Sequence, residues 1–190
     1  MLNESHSAEI QRLWVRKVQQ DASDVPFAER HRNLAPASAE FLSALASCVG
    51  ARKIVEIGGS SGISTIALAT AAQQTQGKLI SLEIEPVRQG ESKETIARLG
   101  LDEFVDFRLG DAAQTLPQLN DVEFALIDCE KQDYIRFFDM LHLRPGAIVV
   151  ADNILSHQLT DYVAHVRSQP GAASVTLPIG QGLELTRVAE

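Results

Sequence analysis

Cysteine is nearly absent from this 190-residue chain. Cys48 and Cys129 stand alone, with no disulfide framework and no zinc spacing, which points to a reduced compartment, the cytoplasm. His31, His142, His157 and His165 have no mutual metal-ligand spacing either. No apolar run approaches the roughly 20 residues that span a bilayer. The opening MLNESHSAEI lacks the basic and apolar regions of a secretory signal. Positive charge is in deficit: 17 Lys and Arg against 25 Asp and Glu give a formal net charge of −8. That balance argues against a nucleic-acid backbone or an anionic membrane as partner. Without internal repeats, low-complexity tracts or linkers, residues 1–190 read as one domain. The 45% hydrophobic and 22% charged residues are ordinary for a globular protein.

What is present is order. Ile10, Leu13, Trp14 and Val18 at helical spacing predict an amphipathic helix over about residues 5–21. Trp14 reads as a packing residue or part of an oligomer contact. A polar loop from Asp21 to Arg32, containing Pro26, follows. Phe41, Leu42, Leu45 and Val49 mark a second helix with Pro36 near its start. Then KIVEI, KLISL, FVDFR, VEFALI and AIVVA alternate with helical stretches at about 62–73, 87–99, 131–142 and 157–168. The tail SVTLPIGQGLELTRV reads as two strands around Gly180 and Gly182. This pattern predicts an α/β, Rossmann-like fold: a mainly parallel twisted sheet, helices on both faces, and an antiparallel C-terminal hairpin.

The turn Glu56-Ile57-Gly58-Gly59-Ser60-Ser61-Gly62 follows the first strand. Glycine there allows positive φ and close backbone approach, for a ligand or for turn geometry alone. A dinucleotide fingerprint fails, because Ser60 stands where its second glycine belongs. The G-x-S-x-G of a nucleophile elbow does match, making Ser60 a candidate hydrolase nucleophile with His157 or His165 as base. The E-x-G-x-x-x-G turn of S-adenosylmethionine binders also matches, through Glu56, Gly58 and Gly62. Glu83, near the end of the second strand, sits where an acid takes ribose hydroxyls, and it favours the adenosine-type cofactor. A further alternative is a fold that binds cofactor without catalysis.

Two later apolar runs, Val122 to Ile127 and Ala147 to Ala151, each end in a carboxylate. As neighbouring parallel strands they would bring Asp128, Asp152 and Asn153 to one sheet edge, with Lys131 just beyond. Singly, each has a plain structural explanation as a cap, a loop start or a solvated charge. Together, hard oxygen donors without histidine or thiolate favour magnesium, calcium or manganese. Such an ion could lower the pKa of a bound hydroxyl, and Lys131 could accept the proton.

In these residues the chain resembles the metal-dependent O-methyltransferases of the catechol and caffeoyl-CoA type, particularly small bacterial members. The resemblance runs from about Leu34 to Val188, on ARKIVEIGGSSGISTIALA, LISLEIEP, LGDA, LIDCEKQDY, LRPGAIVVADN and LPIGQGL. It implies S-adenosylmethionine as methyl donor, a small-molecule hydroxyl acceptor, and a homodimer, with residues 1–33 shaping the acceptor site or the dimer contact. It implies Asp128, Asp152 and Asn153 as metal ligands and Lys131 as catalytic base. Ser64 would contact the cofactor's carboxylate, Glu83 the ribose, Asp111 and Ala112 the adenine, and Asp128 also the cofactor's amino group. The chain departs from the family's pattern at Ile63, where Tyr is frequent, and at Gln181, where Asp is common. Glu130 stands where the catechol enzymes place a Trp wall. His157 could line the acceptor pocket, and Cys129 could be a small buried residue or touch adenine.

Overall fold

The computed structural model describes residues 2–26 and 29–189; residues 27 and 28 of the expected polar loop lie outside them. Helix α1 (Glu4–Asp21) starts where the Asn3 side chain accepts the His6 N–H at 2.9 Å, an N-cap. Helix α2 (Pro36–Cys48) begins on Pro36, whose missing N–H costs nothing in a first turn. The alternating part then runs β1 (Lys53–Ile57), α3 (Ile63–Thr75), β2 (Lys78–Glu83), α4 (Pro86–Arg98) and β3 (Val105–Leu109). It continues through α5 (Ala112–Thr115), β4 (Val122–Ile127), α6 (Tyr134–Met140), β5 (Leu143–Ala151) and α7 (Thr160–Arg167). The hairpin β6 (Ala173–Leu177) and β7 (Leu183–Arg187) closes the sheet.

Strand order is β3-β2-β1-β4-β5-β7-β6. The first five strands are parallel, and β7 runs antiparallel to β5 and β6. This is the expected Rossmann-like sheet. Side-chain alternation sends Ile54, Phe124 and Leu126 to one core with α1–α4, and Val55, Ala125 and Ile127 to the other with α5–α7. Burial on both faces explains why these strands read as unbroken apolar runs. Because β2 and β4 flank β1 on opposite sides, a crevice opens at the carboxyl ends of β1 and β4, the usual ligand position in such sheets.

The largest departures from expectation lie in the second half of the chain. The stretch 131–142 is a 3-10 turn over Lys131–Asp133 followed by α6, which ends at Met140. The chain must leave the helix there because β5 starts at Leu143 and His142 already accepts the Val122 N–H. Strand β5 is longer than AIVVA, its register against β4 shifting between Val122 and Phe124 where Pro145 and Gly146 interrupt the ladder. Helix α7 starts at Thr160 rather than 157. Backbone bonds from Ile154 to Gly182, and from Leu155 and Ser156 to Gln181, hold the preceding segment as a turn. The short α5, capped by the Asp111 carboxylate on the Ala113 N–H, carried no periodic signal.

Candidate active site

The glycine turn is wedged against the end of β4. Gly58 has φ +95°, and a Cβ on it would lie 2.1 Å from the Asp128 carbonyl oxygen, so no side chain fits. Beneath the turn, Glu56 is fully buried, its Oε2 accepting hydrogen bonds from Ser81 (2.6 Å) and Thr65 (2.8 Å). Burial pushes its carboxyl pKa up, and the hydroxyls of Ser64, Ser81 and Thr65 oppose that. A Cβ on Gly59 would come within 2.8 Å of the same Glu56 oxygen. Glu56 thus supports the turn from below.

Above the turn lies a cavity of about 570 Å³, a size ordinary for small-molecule sites. Gly58, Glu83, Asp111, Ala112, Asp128, Lys131 and Asn153 line it. Glu56, Gly62, Ser64 and Asp152 are buried and do not line it. At one end, Glu83 Oε2 accepts the Ser60 N–H at 2.8 Å, while Oε1 accepts the Ile84 and Glu85 N–H groups at 2.9 Å. At the other end, the parallel pairing of Ile127 with Ala151 puts Asp128 and Asp152 side by side. The Asp128 side chain is 7% exposed and Asp152 is fully buried. Burial raises both carboxyl pKa values, and in Asp152 the neighbouring Asp128 raises it further.

Asn153, at φ +64°, donates its amide to Asp152 Oδ2 at 2.9 Å and to Gln181 Oε1 at 3.3 Å. Both donors so used leave its oxygen as the remaining acceptor. Among the described residues, Asp152 Oδ1 is buried with no hydrogen-bond partner. No group of three or more His, Cys, Asp or Glu that could hold a metal ion occurs among them, so the Asn153 amide would supply the third donor. Two adjoining acids, one orphaned oxygen and an amide oxygen fit a hard divalent cation. Lys131 Nζ stands 3.3 Å from Asp128 Oδ1 and 2.7 Å from the Tyr134 hydroxyl.

The polar loop supplies residues that motif reading missed. Arg32 donates its backbone N–H to Ser60 Oγ at 3.1 Å, and Asn33 Nδ2 donates to Ser61 Oγ at 2.8 Å. The Arg32 guanidinium pairs with Glu130, so an ion pair stands where an aromatic wall was the reference. Buried His31 anchors the strap through Glu91 at 3.0 Å. Burial holds the His31 pKa below its usual value, against the opposing effect of Glu91. His157 and Cys129 both line the cavity. His157 Nδ1 lies 2.9 Å from Ser156 Oγ, and His165 pairs with Asp139 at 2.7 Å. Neither histidine forms the base–nucleophile pair that a serine hydrolase at Ser60 needs.

A mainly parallel sheet with an acid-lined cavity over its switch point defines a Rossmann-like ligand-binding protein. The family model for O-methyltransferases matches residues 4–187, and the chain belongs to that family. The match takes in α1, where the resemblance read from the sequence begins only at Leu34. Catechol O-methyltransferase of Niastella koreensis is 36% identical over 130 residues, 65% of this chain and 58% of its own length. The Mycobacterium tuberculosis catechol O-methyltransferase is 34% identical over 120 residues, 61% of this chain and 54% of its own. Caffeoyl-CoA O-methyltransferase 2 of Zea mays is 31% identical over 128 residues, covering 61% and 47%. The matched stretch thus spans about half the length of these curated relatives. The fold is shared with a Bacillus cereus O-methyltransferase in complex with SAH, at TM-score 0.79 and 22% identity over 99% of this chain and 92% of that one. It is shared equally with the Streptomyces achromogenes O-methyltransferase TomG in complex with SAM, at TM-score 0.79, 22% identity and coverage of 100% and 92%.

Proposed function

We propose that this chain is an S-adenosylmethionine-dependent O-methyltransferase acting on a hydroxyl of a small molecule with adjacent oxygens. The observation that carries the reading is one cavity shared by the glycine turn, Glu83, Lys131, and the paired strand ends bearing Asp128 and Asn153. S-adenosylmethionine would supply the methyl group, the S–CH3 bonding pair staying on sulfur as S-adenosylhomocysteine forms. Gly58 would let backbone approach that donor, Glu83 would hold its ribose, and Asp111 and Ala112 would hold its adenine. Asp128, Asp152 and Asn153 would hold magnesium or a similar ion, which supplies Lewis acidity toward two neighbouring acceptor oxygens.

Lys131 Nζ accepts the hydroxyl proton as the new O–CH3 bond forms. Alignment of oxygen and methyl group does most of the remaining work, so rigid strand ends suit the task. The Arg32–Glu130 ion pair at the cavity wall favours an acceptor with polar substituents over a bare aromatic ring. The test is methyl transfer from labelled S-adenosylmethionine to a panel of catechols, hydroxycinnamoyl compounds and other vicinal diols, with magnesium and with chelator. The expected result is transfer to a vicinal diol that requires magnesium. Full activity under chelation would remove the metal role, and no transfer to any panel member would remove the acceptor class.

A further inference from the structure

Tyr134 takes no part in the steps above, yet it is the largest of the fully buried side chains among the described residues. Its hydroxyl is engaged on both sides: it accepts from Lys131 Nζ at 2.7 Å and donates to the Asp152 carbonyl oxygen at 3.2 Å. Its ring is fixed edge-on by Tyr162, with centroids 5.5 Å apart, and Lys131 Nζ sits 4.8 Å from the ring centre. We propose that Tyr134 is a positioning residue that, together with Asp128, holds Lys131 Nζ in place at the cavity. The inference rests on the reading of Lys131 as the base.

A lysine side chain is long and flexible, so its nitrogen stays in one place only where other groups hold it. Asp128 Oδ1 and the Tyr134 oxygen supply acceptors for two of its N–H bonds. The remaining vertex of the nitrogen is left for the cavity, which Lys131 lines with 24% of its side chain exposed. The Asp152 carbonyl is the necessary third party. By taking the phenolic hydrogen, it makes Tyr134 an acceptor toward the lysine. Local geometry supports the same assignment. Lys131–Asp133 form a 3-10 turn, in which side chains three residues apart stack over one another, so Lys131 falls over Tyr134. A regular α-helix from residue 131 would offset the two.

Tyr134→Phe keeps the ring and removes only the hydroxyl. With the fastest acceptor of the panel above, kcat should fall about ten- to a hundredfold, as for a misaligned catalytic group. The acceptor KM, the Kd for S-adenosylhomocysteine and the Tm should stay near wild-type values. In a Lys131→Ala background the same substitution should cost nothing further, because the group it positions is gone. Unchanged kcat in Tyr134→Phe overturns the proposal. So does a loss of equal size in the Lys131→Ala background, or a loss accompanied by falls in Tm and cofactor affinity, which would mark a structural role. If Lys131→Ala itself retains kcat, the base reading fails first and the positioning role with it.

Discussion

Gly58 is the residue whose side-chain position is already occupied, by the Asp128 carbonyl. Gly58→Ala should destabilise the protein by about 2 kcal/mol or more in urea unfolding, from strain at positive φ and overpacking together. Lys131→Ala should lower kcat about 10²- to 10⁴-fold, with S-adenosylhomocysteine affinity by calorimetry little changed. Asp152→Asn makes two opposed predictions. Without divalent ions near pH 8 it should raise the Tm, since it removes one of two buried like charges. With saturating magnesium it should lose the stabilisation that the wild type gains, about 2.7 kcal/mol at a hundredfold excess over Kd. Asp128, Asp152 and Asn153 were legible in the sequence because they stand at the ends of strands whose pairing dictates their place, with Lys131 a few residues beyond. Arg32 and Asn33 were not, since their partners Ser60 and Ser61 lie 28 residues away and their loop has no period. Glu56, part of the E-x-G-x-x-x-G turn, lies beneath that turn and outside the cavity lining, a placement the motif alone does not reveal.

Among the elements, α1 and α4 are joined chiefly by charge. Glu9 accepts from Arg12 at 2.8 Å on its own helix and from Arg98 at 2.6 Å on α4. Arg12 foremost, then Arg98, hold the Glu9 carboxyl down to about 2, against the opposing effect of burial. A carboxyl depressed in the folded state stabilises above its ordinary value, near 4.5, and loses that contribution as pH falls through about 2. Both arginines are half-exposed, so screening reduces the effect to about 1 kcal/mol. Urea unfolding of wild type and Glu9→Gln should therefore differ at pH 6 and converge toward pH 2. A gap that does not change with pH would contradict this. Elements buried on both faces, such as KIVEI and VEFALI, could be bounded from sequence to the residue. The helix start expected at 157 could not, because backbone bonds to Gln181 and Gly182 decide it and leave no mark on apolar periodicity.

At the scale of the molecule, the order of strands and helices was enough to place the crevice, because parallel crossovers have one favoured hand and strand ends then converge on one edge. The strap over that edge was invisible to the same logic. Arg32 meets both the glycine turn and Glu130, so the N-terminal region ties the turn after β1 to the segment after β4. None of the described helices is long and apolar enough to cross a membrane. If methyl donor and divalent cation share this one cavity, crystals grown with S-adenosylhomocysteine and manganese will show it by anomalous diffraction at the manganese edge. The expected result is one strong peak within coordination distance of Asp128, Asp152 and Asn153, with the cofactor product lying between Gly58 and Glu83. Cofactor density there with no manganese peak on those three residues, or a peak elsewhere in the molecule, would refute the shared site.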